Sequence, residues 1–368
     1  MTAGRPPQAP RAGWGQPLRL LLRLTVMGVG LGILAGTGLK LLAPYVANGT
    51  LPVLIPSGGS APGGSATTPG ALPAGAPPAG KALKPGRFQP KQELTALSKR
   101  WAQLAAAQKG LQASGFLLVL DDGRFAQLAA DQPLPAASSI KTPILLAGLE
   151  DVDGGKIRWN EPLPLTKELV GGGAGWMASK PVGTRFPFFE AATEMIRVSD
   201  NSATNLLIKR LGGKTSLNTR FQALGLPATV VNNWLPDLDG TNTTSARDLA
   251  RSIALVDTGE KLSPRARDLF REIMATSRTD TLIPLGLLQG LGKDASDPDS
   301  ELLSFGVTAY NKTGDIGIAY SDAALIHLPT GQRAVAAFMV KGPFNDPRSA
   351  DLIRSMAAEA AKTLVGRR

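Results

Sequence analysis

Three stretches of different character follow one another along the 368-residue chain when apolar and polar positions are marked. Residues 24–39 carry no charge, and 41–47 prolong the apolar run past the single Lys40. A spanning helix needs ~20 apolar residues, a length reached here if the Lys40 stem snorkels to the interface. Arg5, Arg11, Arg19 and Arg23 precede the run, so the positive-inside rule keeps residues 1–23 cytoplasmic and exports the rest. Residues 24–47 read as an inner-membrane anchor. A removed signal segment is the alternative, although the small-x-small pattern near Tyr45-Val46-Ala47 is poorly formed. Residues 48–90 hold nine prolines and nine glycines, too little apolar surface to order itself, and read as a disordered linker.

From 91 to 368 the pattern becomes that of a globular domain. Residues 93–109 predict a helix. Apolar runs at 115–121 and 124–130 meet at Asp122-Gly123, a hairpin signal. Residues 139–279 are mostly helical in period, and strands return at 306–312, 317–328 and 333–341, the last two turning at Pro329-Thr330-Gly331. Asp346 caps a final helix with Pro347 in its first turn and an apolar stripe of Leu352, Ile353, Met356, Ala360 and Leu364. The expected fold is α/β in the α+β sense. One antiparallel five-stranded sheet is built from both ends of the chain and flanked by the N- and C-terminal helices, with an all-helical lobe inserted. A cleft between the lobes is the natural place for a site.

Composition narrows the chemistry. Without cysteine there are no disulfides, thiolate metal sites or cysteine nucleophiles, and a single histidine, His327, leaves too few imidazoles for most zinc hydrolases. The net charge of +11 suggests nucleic acid until it is located: residues 1–90 hold eight of the 40 basic residues and none of the 29 acidic ones. The remainder carries 32 basic against 29 acidic residues, so no nucleic-acid partner is implied.

Three short motifs stand in order: Ser138-Ser139-Ile140-Lys141, Ser199-Asp200-Asn201 and Lys312-Thr313-Gly314. Each is weak alone, and Ser216-Leu217-Asn218 repeats the second pattern by chance. Ser138 precedes a predicted helix, where free backbone N–H groups favour developing negative charge, and Lys141 falls on the same face one turn later. A lysine in a desolvated, cation-rich cleft can take a serine proton. The plainer reading is a capping serine with a solvated lysine. Ser199 is suited to pass a proton and Asn201 to bind an amide, or either caps the helix that Gly212 and Gly213 terminate. Lys312 and Thr313 offer an ammonium and a hydroxyl for a carboxylate at a strand end, where Gly314 leaves room for an extended ligand. The glycine-rich stretch 171–175 lacks the lysine of a phosphate loop and reads as a loop bordering the cleft. His327, away from these motifs, reads as structural.

Taken together, the three motifs resemble the serine β-lactamases and penicillin-binding proteins, specifically the class A β-lactamases, over about residues 91–368. The resemblance implies an acylated nucleophile at Ser138, a proton acceptor at Lys141 and a shuttle to the leaving nitrogen at Ser199. It also implies amide binding by Asn201, carboxylate binding by Lys312 and Thr313 beside Gly314, and an oxyanion hole from the N–H groups of Ser138 and Asp315. No metal or cofactor is implied, and the protein is expected to be a monomer. One departure stands out. Where the family carries Trp-Glu-Pro with a water-activating glutamate, this chain has Trp234-Leu235-Pro236-Asp237-Leu238-Asp239, leaving Asp239 as the candidate deacylation base. The expectation is an exported serine hydrolase acting on β-lactams, with a D,D-peptidase acting on peptidoglycan peptides as the alternative. A non-catalytic peptidoglycan-binding module is a third possibility.

Overall fold

The computed structural model describes residues 88–366. The expected cytoplasmic tail, the anchor segment and the linker up to residue 87 lie outside the described residues. No described helix is long and apolar enough to cross a membrane.

The sheet comes from both chain ends, as expected. Strands β1 (Gln92–Glu93), β2 (Gln112–Val119) and β3 (Arg124–Leu128) precede the helical middle, with two-residue β4 (Leu134–Pro135) leading into it. The middle adds β5 (Pro162–Pro164), β6 (Arg185–Pro187) and β7 (Thr243–Thr244), and the return brings β8 (Thr308–Asp315), β9 (Ala319–His327) and β10 (Arg333–Lys341). The main sheet runs β1-β3-β2-β10-β9-β8. Its five long strands are antiparallel, and a sixth, two-residue β1 pairs parallel with β3 at the far edge. β8 extends three residues past 312, because Thr313, Gly314 and Asp315 keep their register against Asp322, Ser321 and Tyr320. The Lys-Thr-Gly stretch is therefore inside the strand rather than at its end, and β8 is the edge nearest the helical lobe's motifs.

Period-two alternation divides the core. Leu117 and Phe338 face α1 (Thr95–Ala106) and the C-terminal helix Pro347–Leu364, while Phe116 and Leu118 face the helical lobe. On the first side the Trp101 indole donates to the Met356 carbonyl at 2.9 Å and meets the Phe338 ring edge-on at 5.1 Å. The lobe comprises α2 (Lys141–Asp153), α3 (Phe188–Arg197), α4 (Asn201–Arg210), α5 (Gly213–Ala223), α6 (Ala246–Asp257) and α7 (Pro264–Met274). Helices α8 (Ile283–Gly290) and α9 (Pro298–Ser304) lead back to the sheet, and α10 is the C-terminal helix. Asp346 caps α10 through the Arg348 amide with Pro347 in the first turn, as its sequence predicts.

Candidate active site

Ser138 sits not at an α-helical N-cap but within a 3₁₀ turn, Ala137–Ile140, that runs directly into α2. Two hydroxyls hold this turn. Ser139 Oγ and Ser321 Oγ both donate to the Ala136 carbonyl, at 2.7 and 2.9 Å, and so fasten the turn to the sheet. Close approach of β8 requires Gly314: a Cβ there would stand 2.6 Å from the Ser138 nitrogen and 2.7 Å from the Ser139 nitrogen. β8 can thus lie beside the serine only with no side chain at 314.

Lys141 is fully buried, and its Nζ lies 2.9 Å from Ser138 Oγ, 2.8 Å from the Ser199 carbonyl, and 2.9 Å from both Ser199 Oγ and Asn201 Oδ1. An ammonium has three protons for these four oxygens. The neutral amine has equally many directions: two N–H groups for the Ser199 carbonyl and Asn201 Oδ1, which cannot donate, and a lone pair that can accept from a hydroxyl. Burial holds the amine well below its ordinary value and the nearby Lys312 cation lowers it further, against the raising effect of Asp200.

The turn carrying Ser199 is built by Asp200, whose role the sequence reading passed over. Asp200, not Ser199 or Asn201, is the N-cap of α4, accepting from the Ala203 amide at 2.9 Å. Its other oxygen accepts from the Trp176 and Met177 amides at 2.7 and 2.8 Å, binding the glycine-rich stretch to the helix start. An aspartate one residue before a helical run is an N-cap signal, so this role was legible. Ser199 itself has φ +58, a backbone state that costs about 1–3 kcal/mol outside glycine and that aims its hydroxyl at Lys141. Asn201 spans the cleft floor, giving Oδ1 to Lys141 and donating through Nδ2 to the Gly172 carbonyl at 2.8 Å.

On the sheet side Lys312 is also fully buried, donating to the Thr313 carbonyl at 2.6 Å. Burial lowers it to about 8, opposed by the Asp322 carboxylate. Burial raises Asp322 to about 7, opposed by bonds from Ile283 and Asn311 and by Lys312. The sequence carried no signal for Asp322 beyond an inward position on an alternating strand.

A cavity of about 210 Å³ opens over Ser138, with Asn201, Ala174, Leu235, Asp237 and Asp315 in its walls. Asp315, expected beside the serine, is there. Leu235 is 5% exposed and held by Asn205, which accepts from its amide at 2.9 Å and donates to its carbonyl at 2.7 Å. Asp239 does not fit the part assigned to it. It is exposed and outside the cavity lining, while Asp237 lines the cavity with its oxygens taken by Thr241 Oγ1 and the Asn242 amide at 2.8 and 2.6 Å. The shortened loop turns at Gly240 with φ +68, which carries Asp239 toward solvent. His327 is at the far end of β9, edge-on to Tyr310 at 5.4 Å between ring centroids, as a structural residue would be.

The ordered Ser138, Lys141 and Ser199 on this sheet-and-helix frame accord with the matched family model, that of the β-lactamase enzyme family over residues 96–364. The chain belongs to this family. As a member it shares the family's mixed α/β fold. Among solved structures, PBP-A is similar at 42% identity and a TM-score of 0.69, covering 75% of this chain and 98% of PBP-A. A leucine-to-glutamate mutant of PBP-A, solved as an acyl-enzyme complex with penicillin G, matches at 42% identity and a TM-score of 0.68, over 74% of this chain and 98% of that one. The β-lactamase of Streptomyces albus G is 29% identical over 168 residues, 43% of this chain and 54% of that protein. The chain thus spans about half the length of the curated relatives it matches first.

Proposed function

We propose that the domain is a penicillin-binding serine acyl-transfer enzyme of the D,D-peptidase type, acylated on Ser138 and slow to release its acyl group. The observation that carries this reading is the contrast between a complete set of acylating groups around Ser138 and a buried Leu235 where a water-activating base would stand. Neutral Lys141 takes the Ser138 proton while Oγ adds to the amide carbonyl, and the amide N–H groups of Ser138 and Asp315 receive the oxyanion. The proton then passes from Lys141 through the Ser199 hydroxyl to the leaving nitrogen as the C–N bond breaks. Lys312 and Thr313 hold the substrate carboxylate, and Asn201 the amide of the acyl part. A water must later split the ester. On its side of the cavity the nearest carboxylate, Asp237, has both oxygens engaged by the loop itself.

Likeness to the curated β-lactamases supports a second reading, in which the same site hydrolyses β-lactams with turnover. The apolar segment 24–47 and the proline- and glycine-rich stretch after it support an exported, membrane-tethered domain under either reading. Intact mass of the full chain, followed over time after mixing with penicillin G, separates the two. A stoichiometric adduct that outlasts the free drug is expected. An adduct that decays within seconds while drug is consumed would favour the β-lactamase, and no adduct at all would defeat both.

A further inference from the structure

The helical lobe carries a second cavity, of about 290 Å³, at the end of α2 away from Ser138. The 13 residues of α2, at ~1.5 Å each, set the two openings about 20 Å apart along the helix. Its lining divides by burial. Ile157 and Ala266 are buried and make an apolar floor, the half-buried Trp159 stands between, and Arg158, Asn160 and Arg265 are exposed at the rim. The indole is backed by Phe188 and Phe189, each with its ring centroid 6.1 Å away, so its position is set by packing.

Charge distinguishes this cavity from the one over Ser138. The neighbouring acids are already engaged: Glu161 by Arg210, and Asp151 by Arg220 and Lys156. Asp153, the one carboxylate in the lining, accepts from both the amide and the hydroxyl of Ser263. Those two bonds chiefly hold it below its ordinary value, and Arg265 makes the smallest contribution. Among the described residues neither Arg158 nor Arg265 forms a contact ion pair. Two guanidiniums against one engaged carboxylate leave the opening cationic, whereas the cavity over Ser138 has Asp237 and Asp315 as its charged lining.

This combination selects a ligand class. An inorganic anion would leave the indole and the apolar floor uncovered, and an alkyl chain would leave the guanidiniums without a partner. A sugar ring that bears a carboxylate meets both demands. Its C–H face packs on Trp159, its hydroxyl and amide groups reach Asn160, and its carboxylate takes the arginines.

We propose that this cavity is a second binding site, for a hexosamine with a free carboxylate, as in peptidoglycan glycan strands from which the peptide has been removed. It holds the domain on the polymer while Ser138 acts on a neighbouring stem peptide, which raises the local concentration of substrate. The cavity and its charge stand on their own; the choice of a cell-wall sugar rests on the peptidase reading above.

The test titrates three disaccharides onto the full chain by calorimetry: N-acetylglucosaminyl-N-acetylmuramic acid, its carboxamide, and the N-acetylglucosamine dimer. The acid should bind about tenfold or more tightly than either neutral sugar, the scale of a hydrogen bond to a charged group, and the advantage should shrink as salt is raised. Arg158→Gln and Arg265→Gln, both at exposed positions, should each remove most of that advantage. Prior acylation of Ser138 by penicillin G should leave the affinity within about twofold. The proposal is overturned by equal binding of acid and carboxamide, by no binding, by affinity unchanged in both arginine variants, or by displacement on acylation. Binding of anionic phospholipid vesicles in place of the acid sugar likewise overturns it. All of these leave Ser138 acylation standing. A chain that penicillin G never acylates defeats the peptidase reading instead, and the same titration on that chain still judges the cavity.

Discussion

The two walls of the cleft are built on opposite plans. Around Ser138, oxygens from the 3₁₀ turn, the Ser199 turn and α4 converge within 2.9 Å of one buried nitrogen, Lys141 Nζ. Across the cavity the 234–242 loop offers the buried side chain of Leu235, and its polar groups are already taken: Asp237 by Thr241 and Asn242 of the loop, the Leu235 backbone by Asn205 of α4. A wall that satisfies only itself holds shape, whereas a wall with four oxygens on one amine does proton chemistry. Under the proposed mechanism the difference makes acylation and ester hydrolysis separable, because they draw on different loops.

The comparison breaks most sharply if Lys141 is dispensable. Lys141→Ala should reduce the rate of penicillin adduct formation by about 10²–10⁴, the range for a positioned general base, while the lifetime of any adduct that forms changes little. Stopped-flow acylation with a chromogenic cephalosporin measures the first and intact mass the second. Retention of near-normal acylation would mean that another group takes the serine proton.

Leu235→Glu sharpens the contrast from the other side by adding a carboxylate to the inert wall. Hydrolysis of the acyl-enzyme should accelerate by about 10², the low end of what a general base contributes, with the acylation rate nearly unchanged. Asp239→Asn should alter neither step, since the side chain is exposed and outside the cavity. A loss of hydrolysis in Asp239→Asn, read as a longer adduct lifetime, would show that the loop rearranges to use it.

The smallest effect expected is in the pH dependence of acylation. In the proposed mechanism Lys141 acts as the free amine, so the rate should rise with pH as its lowered pKa is passed. Lys312 works as the cation, so the rate falls again as pH climbs through its value of about 8. The profile is a bell, and Lys312→Arg should move its alkaline limb upward by a unit or more because a guanidinium stays charged there. An alkaline limb that stays in place would assign it to some other group.

Much of this protein is legible before any folding. The apolar run at 115–121, which overlaps β2, the strand at 333–341, the turn at Asp122-Gly123 and the cap at Asp346 are local signals, each set by a few neighbouring residues. The order of the three motifs identified Ser138, Lys141, Ser199 and Lys312 as one set, because a family's spacing is carried in the chain itself. What the sequence left undecided depends on contacts between segments far apart. Asn311 meets Asp322 only after β8 and β9 pair, and Thr279 joins them only when the connection to α8 closes over the strand. The protonation of Lys141 follows from burial and from Lys312, 171 positions further along the chain. Asp239 is outside the cavity for the same reason: its position in the chain put it near Leu235, but the folded loop leaves it exposed. Local structure is set by short-range sterics and hydrogen bonds, whereas charge state and catalytic geometry are set by which distant groups share a site from which water is excluded.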